Sequence, residues 1–391
     1  MRFSVRRGLM LLALALFTVV SGEASAATWS TQSLNNPSNV SSEALYGVSC
    51  SASTECEAPG QGLYSTTGTL GAIAQKWNGS SWTAATGVEP NHGQKNGVLW
   101  GVHCPTTTMC MNVGSYGSSG GQVAWAQRDV AGFWTTWNIG VPGGATRSEL
   151  KDVWCTSESN WCIASGWKLV SGESKAWVVR WNTAEWINTS ATEKLNSTLN
   201  GISCASTSYC VAVGSFVQAA NLELQPLAEV WNGSAWSVYA PPVPSPWETA
   251  VLNSVQCVSA TWCMASGSLR RTEAGTRYWR PFADIWNGST WSTTTGVPWG
   301  ANLEAFAYGS SCLSTTECWI VGEGHSGSTL RPWAVKWTGS TWEIQSPIPL
   351  APGAEGAQLR DISCWAASRC KAAGWSLFGG TKEPLAETVT P

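Results

Sequence analysis

Short apolar segments alternate with polar turns along the chain, and their order recurs at steps of 49 to 55 residues. Each unit has an apolar segment ending in cysteine, a short, mostly polar stretch, a second cysteine and a short segment ending in glycine. A hairpin sequence of the type Trp-Asn-Gly-Ser-x-Trp follows, and residues 199–236 show this order most clearly. No helical periodicity intervenes, and each unit contains two β-hairpin signals. The pattern predicts four short strands per unit.

Seven such units predict an all-β, seven-bladed β-propeller with four antiparallel strands per blade. The seventh unit reaches Pro391 before a fourth strand. The missing strand is expected at the other end, because residues 27–33 resemble the fourth strands of units five and six. We expect this N-terminal strand to complete the last blade and to close the ring, which removes two exposed sheet edges.

The fourteen cysteines form seven closely spaced pairs, which predict one disulfide within each blade. Zinc binding fits this pattern poorly, because zinc sites favour shorter cysteine spacings and often histidine, and the three histidines do not recur with the repeat. Pairing between blades stays open at this point. The expected pairs are Cys50 with Cys56, Cys104 with Cys110, Cys155 with Cys162, Cys204 with Cys210, Cys257 with Cys263, Cys312 with Cys318, and Cys364 with Cys370.

The N-terminal segment has the pattern of a secretory signal peptide over residues 1–26, with a basic start, an apolar stretch and cleavage after Ala26. We expect a secreted, extracellular, monomeric protein whose single propeller domain spans residues 27–391. The formal charge of the whole chain is −3, and residues 1–26 carry three arginines and one glutamate, so the mature chain carries −3 − 2 = −5. This charge argues against a nucleic-acid partner. The sequence predicts no membrane insertion, no metal and no cofactor.

Two further features recur with the repeat. A glycine stands four residues after every second cysteine, where it suits a backbone that passes close to its neighbour. Tryptophan pairs recur in register in five units and are interpreted as core between blades. The glycines are Gly60, Gly114, Gly166, Gly214, Gly267, Gly322 and Gly374. The pairs are Trp77–Trp82, Trp181–Trp186, Trp231–Trp236, Trp286–Trp291 and Trp337–Trp342.

The Trp-Asn-Gly-Ser-x-Trp hairpins resemble the Asp-box turns of sialidase-type (BNR) propellers, although they lack the aspartate and the full Ser-x-Asp-x-Gly-x-Thr-Trp pattern. The repeated unit also looks like that of secreted bacterial propeller proteins of undefined function. This resemblance covers the mature chain. It implies a fold and leaves the chemistry open.

Departures from the repeat indicate where function could lie. The residue four before each first cysteine is variable and large, and the residues just after the repeated glycine are often aromatic. If both sets share one face of the propeller, aromatic rings and hydrogen-bonding groups would meet there and suit a glycan or cell-wall polysaccharide. The candidate ligand-binding residues are Tyr46, Trp100, Lys151, Trp167, Tyr308, Arg360 and Trp375.

Two other functions stay open. A glycoside-processing enzyme of sialidase-like architecture would need paired carboxylates, and Asp152 and Asp361 are expected to lie nearly opposite each other in the ring. No catalytic residue is assigned, and binding is favoured over catalysis. A rigid protein–protein interaction module is the third hypothesis. Residues 270–280 form a local basic segment that could recognise an acidic sugar or anionic polymer, or lie simply in solvent.

Overall fold

The computed structural model describes residues 27–391 except 38, 86–87, 89–94, 158–159, 190, 192–193, 195, 295, 302–303 and 346. The described chain is built from β-strands joined by turns. The strands are β1 (Thr28–Gln32), β2 (Val40–Leu45), β3 (Ser49–Ala52), β4 (Glu55–Tyr64), β5 (Thr69–Trp77), β6 (Trp82–Ala84), β7 (Lys95–Thr106), β8 (Met109–Ser118), β9 (Gly121–Val130), β10 (Phe133–Gly140), β11 (Ala145–Cys155), β12 (Cys162–Val170), β13 (Glu173–Trp181), β14 (Trp186–Thr189), β15 (Thr198–Ser206), β16 (Tyr209–Val217), β17 (Leu224–Trp231), β18 (Trp236–Val238), β19 (Thr249–Ser259), β20 (Trp262–Glu273), β21 (Thr276–Trp286), β22 (Trp291–Thr293), β23 (Glu304–Ser314), β24 (Glu317–Ser326), β25 (Thr329–Trp337), β26 (Trp342–Ile344), β27 (Gly356–Ala366), β28 (Arg369–Phe378) and β29 (Thr381–Thr390).

These strands form seven antiparallel sheets across the described residues, one for each sequence unit. Blade 1 is β2–β6, blade 2 is β7–β10, blade 3 is β11–β14, blade 4 is β15–β18, blade 5 is β19–β22, blade 6 is β23–β26, and blade 7 is β27–β29 with β1. The chain is a seven-bladed β-propeller. Blade 1 departs slightly from four strands, because its innermost strand is divided into β2 and β3, which both pair with β4.

The ring closes as expected from the sequence. β1 pairs antiparallel with β29 over five residues, with Trp29 opposite Val389. Trp29 is buried and meets Trp319 of blade 6 edge-on, with ring centroids 6.2 Å apart. The N-terminal strand therefore supplies both hydrogen bonds and core packing to the last blade.

All seven predicted disulfides are present, and each joins the first two strands of one blade. Local pairing is confirmed, and no cysteine is free. Disulfides of this number are typical of an oxidising compartment.

The hydrophobic core lies between the blades. One cluster joins Trp77 and Trp82 of blade 1 to Ala373 and Ala386 of blade 7. The tryptophan pairs face each other across the outer hairpins, with ring centroids 5.1 to 5.9 Å apart. Their interpretation as core between blades is confirmed. Each sheet buries both faces only because a neighbour covers it.

The outer Asn-Gly turns differ from the two-residue type I′ turns that an Asn-Gly dipeptide favours between two strands. Trp77 pairs with Trp82, so the loop holds four residues, and only its glycine, Gly79, has positive φ at 94°. The Asn78 side chain instead accepts the backbone N–H groups of Ser80 and Ser81, each at 3.0 Å. This side-chain acceptor stabilises a longer turn, as is common for asparagine.

The predicted signal peptide, residues 1–26, lies outside the described residues. Within the described part of the chain, no helix has the length and apolar character needed to cross a membrane.

Candidate functional site at the mouth of the central channel

The innermost strands surround a central cavity of about 320 Å³. A second cavity of about 220 Å³ shares its lining with the first and is bordered by one residue from each blade. We call these seven residues the mouth ring. They are Tyr46, Trp100, Lys151, Asn200, Asn253, Tyr308 and Arg360. They are the residues four before each first cysteine, so the first of the two predicted sets converges at one cavity.

A β-bulge places each mouth residue. In blades 2 to 7 the register between the first two strands shifts across this position, for example between Leu150 and Asp152. In blade 1 the N–H groups of Tyr46 and Gly47 both face the carbonyl of Pro59, at 2.9 and 3.5 Å. The bulge leaves the mouth residue without a cross-strand partner and re-aims its side chain.

The repeated glycine makes the bulge possible. A Cβ atom built on Gly374 would lie 1.9 Å from the carbonyl oxygen of Gln358, and the six equivalent glycines show the same approach at 1.8 to 2.0 Å. Only a residue without a side chain tolerates a backbone carbonyl at this distance. The glycine and the mouth residue of each blade are therefore two parts of one local structure.

Aromatic and cationic side chains occupy one arc of the mouth. Tyr46 and Trp100 lie against each other with ring centroids 4.5 Å apart. The Lys151 ammonium lies 3.9 Å from the centre of the Trp100 ring, and the Arg360 guanidinium lies 4.3 Å from the Tyr308 ring and 5.8 Å from Tyr46. These contacts are within the range of cation–π attraction. All five side chains are partly exposed.

Amide side chains occupy the opposite arc. Asn200 Nδ2 donates to the carbonyl of Leu252 in blade 5 at 2.9 Å, and Asn253 Nδ2 donates to the carbonyl of Ala307 in blade 6 at 2.7 Å. Each amide therefore bridges two blades with one N–H. The Asn200 oxygen also accepts the Thr198 hydroxyl at 3.3 Å, and because an amide oxygen has two lone pairs it can still accept a further donor.

Two glutamates form an ion pair or a hydrogen bond with residues of the mouth ring. Glu149 forms an ion pair with Lys151 and accepts the indole N–H of Trp167 at 3.2 Å. Glu323 accepts the hydroxyl of Tyr308 at 2.9 Å and the side-chain amide of Gln358. Burial and the Glu323 charge raise the pKa of the Tyr308 hydroxyl, which therefore stays a neutral donor.

Two predicted ligand residues lie outside the mouth. Trp167 is on the second strand of blade 3, opposite Glu149, and acts on the mouth through that glutamate. Trp375 is on the second strand of blade 7, opposite Gln358, with the Lys382 ammonium 4.4 Å from its ring centre. Five of the seven candidate residues therefore line one cavity, and these two lie one strand further from the axis.

Asp152 and Asp361, the two carboxylates considered for a glycosidase, instead form hydrogen bonds with the backbone of neighbouring inner strands. Asp152 accepts the N–H of Val153 at 2.8 Å and that of Ile202 in the next blade at 2.9 Å. Asp361 accepts the N–H of Ile362 and that of Val48 in blade 1, each at 2.9 Å. Both carboxyls thus tie neighbouring inner strands together. Burial raises the pKa of Asp152 to about 7 and that of Asp361 to about 8.

The channel below the mouth is bordered by a similar series of links. Side chains just before the first cysteine accept the backbone N–H of the cysteine in the next blade, as Ser49 does from Cys104 at 2.9 Å. His103 does the same for Cys155 through Nδ1 at 3.1 Å, and burial lowers its pKa to about 4. The channel wall is therefore rigid.

No protein-family model matches the chain. A comparison with curated proteins also returns no match. Solved structures are similar over most of the chain. A protein of unknown function from Dyadobacter fermentans is 10% identical, with a TM-score of 0.55 over 93% of this chain and 99% of that chain. YCF48 bound to a D1 peptide is 12% identical, with a TM-score of 0.54 over 93% and 95%. A polysaccharide lyase, an ulvan lyase bound to a GlcA–Rha3S saccharide, is 9% identical, with a TM-score of 0.54 over 84% and 89%. At these identities the similarity shows the fold alone.

Proposed function

We propose that the chain is an exported carbohydrate-binding protein that takes a sugar unit at the mouth ring. The observation that carries the proposal is the composition of one cavity: a partly exposed aromatic pair, Tyr46 and Trp100, shares it with two amides and two cations. Sugar rings present apolar C–H faces to aromatic side chains, and their hydroxyls need donors and acceptors at the rim. The mouth ring supplies both.

The rigidity of the site supports binding over a moving catalytic apparatus. Each amide is fixed by a bridge between blades, and Lys151 and Tyr308 are fixed by glutamates. A site whose side chains are already ordered loses little conformational entropy when a ligand binds. Asp152 and Asp361 are engaged with backbone N–H groups, which supports a structural role for them.

The fold does not decide the ligand class. Among the similar propellers, one is bound to a peptide and one to a saccharide. The chemistry of the mouth favours the saccharide, because a peptide strand would be expected to pair with a free sheet edge, whereas the mouth ring is a closed set of side chains around the axis.

The test is a glycan-array screen of the oxidised protein, followed by calorimetric titration of the best ligand against Trp100→Ala. Loss of the stacking ring should weaken binding about tenfold, equivalent to about 1.4 kcal/mol. The matched control is Trp365→Ala, because Trp365 is partly exposed just after Cys364, at the far end of an inner strand. Equal losses in both variants, or an array without any bound glycan, would overturn the proposal and favour a protein partner.

A further inference from the structure

One hairpin rises above the others on the mouth face. The second strand ends three residues after the repeated glycine in blade 4 and four residues after it in blades 1, 2, 3, 6 and 7. In blade 5 it ends at Glu273, six residues after Gly267. Two additional residues per strand extend the hairpin by about 7 Å. The pairing continues to Glu273 opposite Thr276, so the extension is ordered.

This hairpin is basic and aromatic. Residues 270–280 contain four arginines and one glutamate in a chain of formal charge −3. Arg277 is exposed near the tip, where it pairs across the hairpin with Thr272. Arg271 lies over the rings of Trp247 and Tyr278, at 5.4 and 5.9 Å. Arg270 forms an ion pair with Glu223, and Arg271 forms one with Glu273 at 2.9 Å, so the exposed Arg277 supplies positive charge at the tip outside these two pairs.

Aromatic contacts connect the hairpin to the mouth ring. Trp279 meets Phe306 of blade 6 with ring centroids 5.4 Å apart. Phe306 is parallel to Tyr308 of the mouth ring, with an interplanar angle of 6° and centroids 6.5 Å apart. The guanidinium of Arg360 in turn lies over the Tyr308 ring. All four side chains are partly exposed. A continuous series of rings therefore runs from the blade 5 hairpin through blade 6 to Arg360 of blade 7 in the mouth ring.

From this geometry we infer that the hairpin and the mouth ring form one extended site for a linear polysaccharide that carries carboxylate or sulfate groups. The inference rests on the proposed function and names its substrate class. The rings follow one another at 5.4 and 6.5 Å, and Arg277 at the hairpin and Arg360 at the mouth are positioned to meet anionic groups along one polymer. A polymer gains affinity with length because each added unit binds without a new association cost.

The experiment compares oligogalacturonates of two and eight units with neutral cello-oligosaccharides of the same lengths, by calorimetry at two salt concentrations. The anionic octamer should bind at least tenfold more tightly than the dimer and lose affinity as salt rises. Arg277→Ala should weaken octamer binding by about fivefold, the upper range for one exposed charge, and leave dimer binding unchanged. The matched control is Arg369→Ala, an exposed arginine at the cysteine end of blade 7.

The outcomes separate the two proposals. Equal affinity for the anionic dimer and octamer, or equal behaviour of the Arg277 and Arg369 variants, overturns the extended site and leaves sugar binding at the mouth intact. Equal affinity for neutral and anionic octamers overturns the anionic class. Absence of binding by every oligosaccharide, short and long, overturns the proposed function itself.

Discussion

Replacing Gly374 with alanine tests the link between the repeated glycine and the mouth. The new Cβ would lie 1.9 Å from the Gln358 carbonyl oxygen, whereas ordinary contact begins near 3.4 Å. The backbone must therefore shift by about 1.5 Å, and this cannot be relieved by a side-chain rotation. Overpacking costs about 1–3 kcal/mol, and we expect about 3 kcal/mol here because the obstacle is backbone.

The expected loss converts to a modest but measurable change in melting temperature. An unfolding entropy of about 2.1 cal/mol/K per residue, over roughly 365 residues, makes 3 kcal/mol equivalent to about 4 °C. Thermal unfolding followed by near-ultraviolet circular dichroism, under oxidising conditions, measures this shift. Because the bulge also aims Arg360, ligand affinity at the mouth should fall in the folded variant.

The control is Gly143→Ala, since Gly143 has no atom within 4 Å of a built Cβ and does not need positive φ. Its melting temperature should stay within about 1 °C of the parent. The reasoning is refuted if Gly374→Ala has the same melting temperature as Gly143→Ala and the same ligand affinity as the parent.

Two further predictions concern the stability of the ring. Trp29→Ala removes the buried ring of the closing strand and should cost about 3–5 kcal/mol, measured by denaturant unfolding; a cost below 1 kcal/mol would mean that β1 contributes little to closure. The raised pKa values of Asp152 and Asp361, about 7 and about 8, mean that the folded protein holds these protons more tightly than the unfolded chain does. Their contribution to stability is therefore complete below about pH 4 and is lost as pH rises towards 8. An asparagine can accept only one of the two N–H groups at each site, so the double variant Asp152→Asn/Asp361→Asn carries a pH-independent loss. On top of this loss, its stability relative to the parent should rise between pH 5 and 8, by up to about 1.4 kcal/mol per pH unit for each carboxyl. Parallel pH profiles of the two proteins would contradict the assigned pKa shifts.

Much of the architecture could be predicted because the repeat encodes it locally. Spacing alone places Cys204 beside Cys210, and the similarity of residues 27–33 to an outer strand predicts the closing contact. The mouth residues could be predicted for the same reason, since one fixed distance from the cysteine defines a ring position in every blade. A residue at a fixed distance from the cysteine can be located without knowing how the blades pack against one another.

Contacts between blades were harder to predict. Trp167 directly follows the repeated Gly166, yet its strand lies one position outward from the axis and its indole donates to Glu149. The repeat does not mark Phe306 as part of a site, although it is aromatic at a position where other units have Ala44, Val98 or Glu149. That Phe306 bridges Trp279 and Tyr308 depends on how two blades are set against each other.

The pairing of β1 with β29 also has a consequence for the order of folding. Trp29 and Val389 are separated by nearly the whole chain, so the closing contact has a very high sequence separation. At about 5–20 residues per second of synthesis, the first strand waits roughly 20–70 s for its partner. Six blades can form their local hairpins during that interval, while the Trp29 side chain and an open sheet edge stay uncovered. The protein is therefore most exposed to aggregation immediately before its last strand is made.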